Sequence, residues 1–419
     1  MKVLLRKAQI IDPQSPHNGQ VKDILIQKGI ITEIADAIPA EADTIIEDSA
    51  LQVSPGWVDP FANFCDPGFE FKETLDSGAM AAAAGGFTHV MLIPNTQPVI
   101  HSKSQVEYLV RKGSSLPVQL HPTGAVSRNT EGKELAEMFD MHDSGAVAFG
   151  DGLHSIQSAG LLMKALQYVK SFDSTIIQVP DDKSIGAHGL INEGIISTRL
   201  GLPGKPAMSE EIMVARDIKL ARYTQSRLHF TGVSTKKSLE YVRRAKDGGI
   251  AVSCSVTPYH LYFCDEDLLN YDTNLKLDPP LRTAADRDAL LQAVKEGLVD
   301  CVATHHQPHE WDSKVCEFEY AKFGMIGLES CFGVVRSRDV SVAQWVQMNG
   351  IRARQLFNIP LARVAKGEQA DLTLFNADRE YQFTEKHIRS KSKNSPFLGK
   401  SLKGTVVGII NGEKLYLNN

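Results

Sequence analysis

No run of about 18 apolar residues, the length a helix needs to cross a bilayer, occurs in this sequence. The opening Met1-Lys-Val-Leu-Leu-Arg6 passes straight into polar residues, without the apolar core and cleavage site of a secretory leader. Membrane insertion and export are not expected, and a cytoplasmic location is. The six cysteines, Cys65, Cys254, Cys264, Cys301, Cys316 and Cys331, are scattered and include no CxxC pair, so reduced thiols are expected. There is no excess of one charge. Lys and Arg (45) lie among Asp and Glu (50) for a net charge of −5, which argues against nucleic acid or a membrane surface as partner. Internal repeats and low-complexity segments are also missing. What remains is an ordinary globular chain of 419 residues, 42% hydrophobic and 23% charged, long enough to bury a sizeable core.

Hydrophobic periodicity divides this chain into two kinds of sequence. Residues 2 to 53 alternate apolar and polar in short runs broken by Asn18-Gly19 and Lys28-Gly29, the pattern of a small β-sheet unit. The C-terminal part behaves alike, with a strand at Ala370-Asp-Leu-Thr-Leu-Phe375 and a hairpin about Asn411-Gly412. Neither piece can bury a useful core alone, so residues 1–53 and 360–419 are expected to form one composite β-sandwich. Between them, in 54–359, strands and helices alternate. Candidate strands are 57–64, 87–94, 117–121, 145–150, 174–179, 227–232, 250–256 and 299–305. They are mostly continuous apolar runs, as in strands covered on both faces. Helical stretches at 73–84, 103–112, 156–170, 208–223, 235–247 and 284–296 separate many of them. The expected fold is a (β/α)8 barrel of the TIM type, with functional groups at the carboxyl ends of its strands. The Lys-, Arg- and Ser-rich region 378–403 reads as a solvated loop, with an interaction segment as the alternative.

Pro55-Gly-Trp-Val-Asp-Pro-Phe-Ala-Asn-Phe-Cys-Asp-Pro-Gly68 is a buried strand running into a polar turn. Together with Lys72-Glu73-Thr74, Gly85-Gly86-Phe87-Thr88, Pro94-Asn95-Thr96 and Gly324-Met-Ile-Gly-Leu-Glu329, it resembles the dihydroorotase family, amidohydrolases of pyrimidine biosynthesis. The resemblance covers nearly the whole chain and implies the barrel and sandwich. It also implies a two-metal hydrolytic site that these residues do not supply. Where the family places four metal-binding histidines, this sequence has Phe61, Asn63, Val179 and Gly232. None can hold zinc, since phenylalanine, valine and glycine offer no side-chain ligand and asparagine only a neutral oxygen suited to hard cations. Cys65 stands at the position of a substrate-binding arginine. His305, in Ala303-Thr-His-His-Gln-Pro-His309, stands where an aspartate binds metal and acts as general base.

Some family positions persist. Asn95 and His309 match contacts to the substrate carboxylate, although an asparagine after a strand is equally a turn or cap residue. Asp151, between Gly150 and Gly152, matches a segment carrying a bridging carboxylate and reads more readily as a turn former. His229 reads as a satisfied core histidine. Asp151, His260, His305 and His306, with Cys65 nearby, are the candidates for a rebuilt site.

Without a metal, the pKa of water stays near its bulk value of about 15.7 and no strong nucleophile forms at neutral pH. The sequence therefore leads to a dihydroorotase-like protein that has lost ring hydrolysis and has no resident cofactor. By resemblance to non-catalytic chains of this kind, aspartate carbamoyltransferase is the expected partner and a homo-oligomer the expected assembly. The alternatives are an active cyclic amidohydrolase using zinc in a rebuilt site, and a sensor that holds a carboxylate ligand on Asn95 and His309.

Overall fold

The computed structural model describes residues 1–418. Strands β1 (Lys2–Ile10), β2 (Val21–Gln27), β3 (Ile30–Ala35), β4 (Thr44–Ile46) and β5 (Gln52–Pro55) open the chain. Eight strands then build the barrel: β6 (Trp57–Ala62), β7 (Phe87–Leu92), β8 (Gln119–Gly124), β9 (Ala148–Phe149), β10 (Thr175–Gln178) and, after a short pair β11 (Ile191–Asn192) and β12 (Gly204–Lys205), β13 (Arg227–Phe230), β14 (Val252–Val256) and β15 (Cys301–Val302). They run side by side in the order β6-β7-β8-β9-β10-β13-β14-β15, and all these pairings are parallel. A parallel bridge from Ala62 to His306 joins the first strand to the segment after the last, where the Asn63 amide donates to His306 O at 2.9 Å.

Helices fill the connections much as periodicity predicts, at Leu75–Ala84, Lys103–Gly113, Ala159–Lys170, Met208–Thr224, Lys236–Asp247 and Ala284–Lys295. The first is capped by Thr74, which accepts from the Ser77 amide, and ends at Gly85-Gly86. Gly86 has φ +86° and lies where a Cβ would meet the Trp57 ring at 2.7 Å, so only glycine suits this corner. The third barrel strand lies later than its apolar run suggested. Its ladder begins at Gln119 and runs through His121 and Pro122, because register with β7 decides the pairing and hydrophobicity does not.

The two ends of the chain meet in one sheet. Strands β16 (Asp371–Gln382), β17 (Ser401–Asn411) and β18 (Lys414–Leu417) continue through β5 into β1, β2 and β3, around a core that includes Val3, Leu5, Ile24, Leu372 and Ile410. The 378–403 region corrects the expectation of a solvated loop. From Arg389 to Asn394 burial alternates: Ser390, Ser392 and Asn394 are buried while Lys391 and Lys393 are exposed. The inward groups are used, with Ser390 Oγ on the Glu73 carboxylate, Ser392 Oγ on Lys72 O and Asn394 Oδ1 accepting from the His309 amide.

The sheet is tied to the barrel floor by a buried charge cluster. Asp371 Oδ2 accepts from Arg354 Nη2 and pairs with His89 Nε2, each at 2.8 Å, and His89 Nδ1 lies 2.8 Å from His121 Nε2. Burial opposes ionisation of Asp371, but His89 and Arg354 outweigh it and hold the carboxyl below its ordinary range. Asp371→Asn strips Arg354 of its counter-charge and is expected to cost about 3–5 kcal/mol. A lower denaturation midpoint with unchanged circular dichroism is the expected reading, and an unchanged midpoint would contradict it.

Candidate functional site

At the carboxyl ends of the strands Phe61, Val179 and His305 are buried. His305 has a left-handed backbone, φ 45°, which turns its ring inward. The imidazole stacks on Phe61 with ring centroids 4.2 Å apart and planes 26° from parallel, and its Nε2 lies 2.8 Å from the Thr231 hydroxyl. A Cβ built on Gly232 would lie 2.7 Å from His305 Cε1. Phe61 and Val179 belong to one apolar cluster with Val58, Met91, Ile177 and Phe357. Positions 61, 232 and 305, which the family resemblance marks for metal chemistry, thus meet through a neutral ring and a bare backbone.

The remaining predicted residues are committed elsewhere. Asn63 Oδ1 accepts from the Cys65 amide at 2.8 Å, so it holds the turn after β6. Burial pushes the Cys65 thiol up to about 12, where it stays protonated and a poor ligand. Asn95 bridges two strand ends, its amide donating to Asp151 O and its oxygen accepting from the Leu153 amide. Asp151 is more than a turn former: it is buried, takes the Ser127 amide and hydroxyl on its two oxygens, and is raised by desolvation. His260 is held between the Thr257 hydroxyl and Pro280 O. His229 sits fully buried between Ser253 and Ser255, the satisfied core histidine expected.

His306 turns away from His305, towards the helix that follows β6. Its Nδ1 accepts from the Gly327 amide and its Nε2 lies 3.4 Å from Glu73 Oε2, an ion-pair distance rather than a formed hydrogen bond. His309 donates from Nε2 to Phe323 O, while its Nδ1 has no partner. Two buried carboxylates escaped the sequence reading. Glu73 gathers Ser77, Ser390 and the Lys391 amide, and Asp59 takes the Thr304 amide and hydroxyl at 2.8 and 2.6 Å. Desolvation raises Asp59 to about 7. Both lie in motifs of the sequence, Lys72-Glu73-Thr74 and Val58-Asp59, but nothing in those motifs reveals the partners, which apart from Ser77 come from 245 to 318 residues away.

The fold family implies zinc, and the fit fails on these side chains. Among the described residues no three His, Cys, Asp or Glu groups converge as a metal centre requires.

Comparison with known proteins decides the family. The Dihydro-orotase-like family profile matches residues 51–238. A protein named dihydroorotase from Syntrophus aciditrophicus is 37% identical over 99% of this chain and 99% of its own. The chain belongs to the dihydroorotase family. A second relative of that name, from Pelotomaculum thermopropionicum, is 38% identical over 97% of each chain. Among solved structures, L-hydantoinase from Arthrobacter aurescens superposes with a TM-score of 0.85 at 23% identity, covering 99% of this chain and 96% of its own. Dihydropyrimidinase from Brevibacillus agri gives 0.83 at 18%, covering 100% and 95%. These two establish the shared fold, a barrel with an added sheet, for this member of the dihydroorotase family.

Two measurements check the site. Burial lowers His121 and His305 to about 3, and His229, His260 and His309 to about 4, from an ordinary 6.5. The unfolded chain therefore binds protons that the folded one refuses. Stability is intact above about 6.5 and falls as pH drops, by about 1.4 kcal/mol per pH unit for each histidine still neutral in the fold. The thermal midpoint is expected to be clearly lower at pH 5 than at pH 7.5, and equal midpoints would refute the neutral assignment. Separately, Gly232→His collides with His305 at a positive φ and is expected to cost about 2–5 kcal/mol. Adding His305→Gly should recover at least ~1 kcal/mol of that in a double-mutant cycle, and strict additivity would contradict the contact.

Proposed function

We propose that this member of the dihydroorotase family neither opens nor closes the dihydroorotate ring, and acts instead as a structural partner of aspartate carbamoyltransferase. The observation that carries the first half is the His305 ring, packed on Phe61 and against Gly232 where the resemblance places ligands for metal. Ring hydrolysis of this kind needs a cation to lower the pKa of water. Val179 and Asn63 supply no substitute ligand, and the nearby carboxylates Asp59, Asp151 and Glu73 are spent on hydrogen bonds within the protein. The partner follows from the family reading alone: a chain that keeps the fold without the chemistry retains its surface as what can be useful.

A second reading, an active cyclic amidohydrolase with zinc in a rebuilt site, is favoured by the full-length kinship to proteins named dihydroorotase. Elemental analysis of purified protein, with an assay of dihydroorotate formation and hydrolysis, separates the two. The proposal expects no stoichiometric zinc and no turnover. Stoichiometric zinc with turnover that vanishes in His306→Ala would establish the second reading. For the partner, size-exclusion chromatography with aspartate carbamoyltransferase of the same organism is expected to give one larger species, and separate elution would dismiss it.

A further inference from the structure

A cavity of about 370 Å³ lies beside the barrel mouth, between the loop that follows His309 and the returning 391–394 segment. Its apolar lining is unusually exposed: Phe71 at 56%, Trp311 at 71% and Val315 at 55%. Its charged lining is Lys314, Lys391 and Lys393 against Glu310. The three ammonium groups donate only to backbone carbonyls: Lys314 to Lys322 O and Gly324 O, Lys391 to Glu70 O, Lys393 to Ile388 O and Ser390 O. Burial brings Lys314 down to about 7, while Lys391 and Lys393 are exposed. Lys72 adds a third cation, 5.7 Å from the Phe71 ring centre. The single carboxylate of the lining, Glu310, is engaged by the Ser313 hydroxyl.

The arrangement is built into the chain. Alternate burial from Arg389 to Asn394 sends Ser390, Ser392 and Asn394 inward and leaves both lysines on the outer side. Glu70 lies near Lys391 and Glu310 near Lys72, but among the described residues no carboxylate comes within ion-pair distance of these cations, so beside the exposed aromatic residues they form a surface complementary to carboxylates flanking an apolar group.

We infer that this groove docks an acidic segment of a partner protein, with one apolar or aromatic side chain of that segment seated between Phe71 and Trp311. The inference deepens the proposed structural role and rests on it for the existence of a partner. Charge complementarity selects the occupant. Aromatic residues supply the contact area at interfaces of this kind, and the lysine rim steers approach and register.

The protein carries its own reporter. It has three tryptophans, and Trp57 and Trp345 are fully buried, so acrylamide quenching reads Trp311. Titration with a synthetic peptide of alternating glutamate and leucine around one phenylalanine, at low ionic strength, is expected to shield Trp311 from quenching. The same peptide with lysine for glutamate should leave quenching unchanged. Lys391→Glu with Lys393→Glu should weaken the glutamate peptide roughly tenfold or more, with circular dichroism confirming the fold. Phe71→Ser, a surface change, should weaken it in calorimetry without touching either lysine. Equal shielding by both peptides, no shielding by either, or undiminished binding to the lysine variant would each overturn the inference. So would shielding by millimolar dihydroorotate without shielding by the peptide, which would make the groove a small-molecule pocket. The readout is independent of metal and turnover. Zinc-dependent activity would defeat the proposed function while peptide binding still stood, and a metal-free, inactive protein that ignored the peptide would defeat only the groove.

Discussion

The imidazole of His305 lies flat on Phe61 and leaves no room for a side chain on Gly232. That contact is the constraint on which the rest of the site depends. A buried neutral ring is compatible with apolar walls, and Val58, Met91, Ile177, Val179 and Phe357 provide them. A buried dication would need negative or nitrogen ligands in the same space to offset its desolvation. The side chains at 61, 179, 232 and 305 therefore form one packing arrangement.

Holding His305 inward requires support from outside the ring. Thr304 is fixed by the Asp59 carboxylate, and Asn349 ties β6 to β15 through Val58 O and Val302 O. On the far side His306 is set beside Glu73, which also accepts from the Ser390 hydroxyl, the Lys391 amide and the Ser77 hydroxyl of the first helix. The same carboxylate that organises the mouth therefore positions the segment carrying Lys391 and Lys393. The support of the mouth and the shape of the outer surface meet at one carboxylate.

Much of this was legible in sequence, for definable reasons. Strand and helix alternation follows from local periodicity, so the barrel could be read along the chain, and side-chain chemistry says that Phe61, Val179 and Gly232 offer no ligand and Asn63 only a neutral oxygen. What could not be read depends on contacts between distant residues. Nothing local marks the inward turn of His305, which arises from a left-handed backbone at the end of β15. The two partners of Asn95, Asp151 O and the Leu153 amide, lie more than 50 residues away along the chain and are not visible in sequence. The 378–403 region looks solvated because its lysines are conspicuous, whereas its small polar residues do the packing.

The most direct test of a mouth closed by protein is an anomalous difference map, collected at the zinc absorption edge from crystals soaked in zinc. No peak is expected among Phe61, Val179, Gly232 and His305, with the His305 ring in density against Phe61. A strong peak there, with protein atoms at coordinating distance, would contradict it.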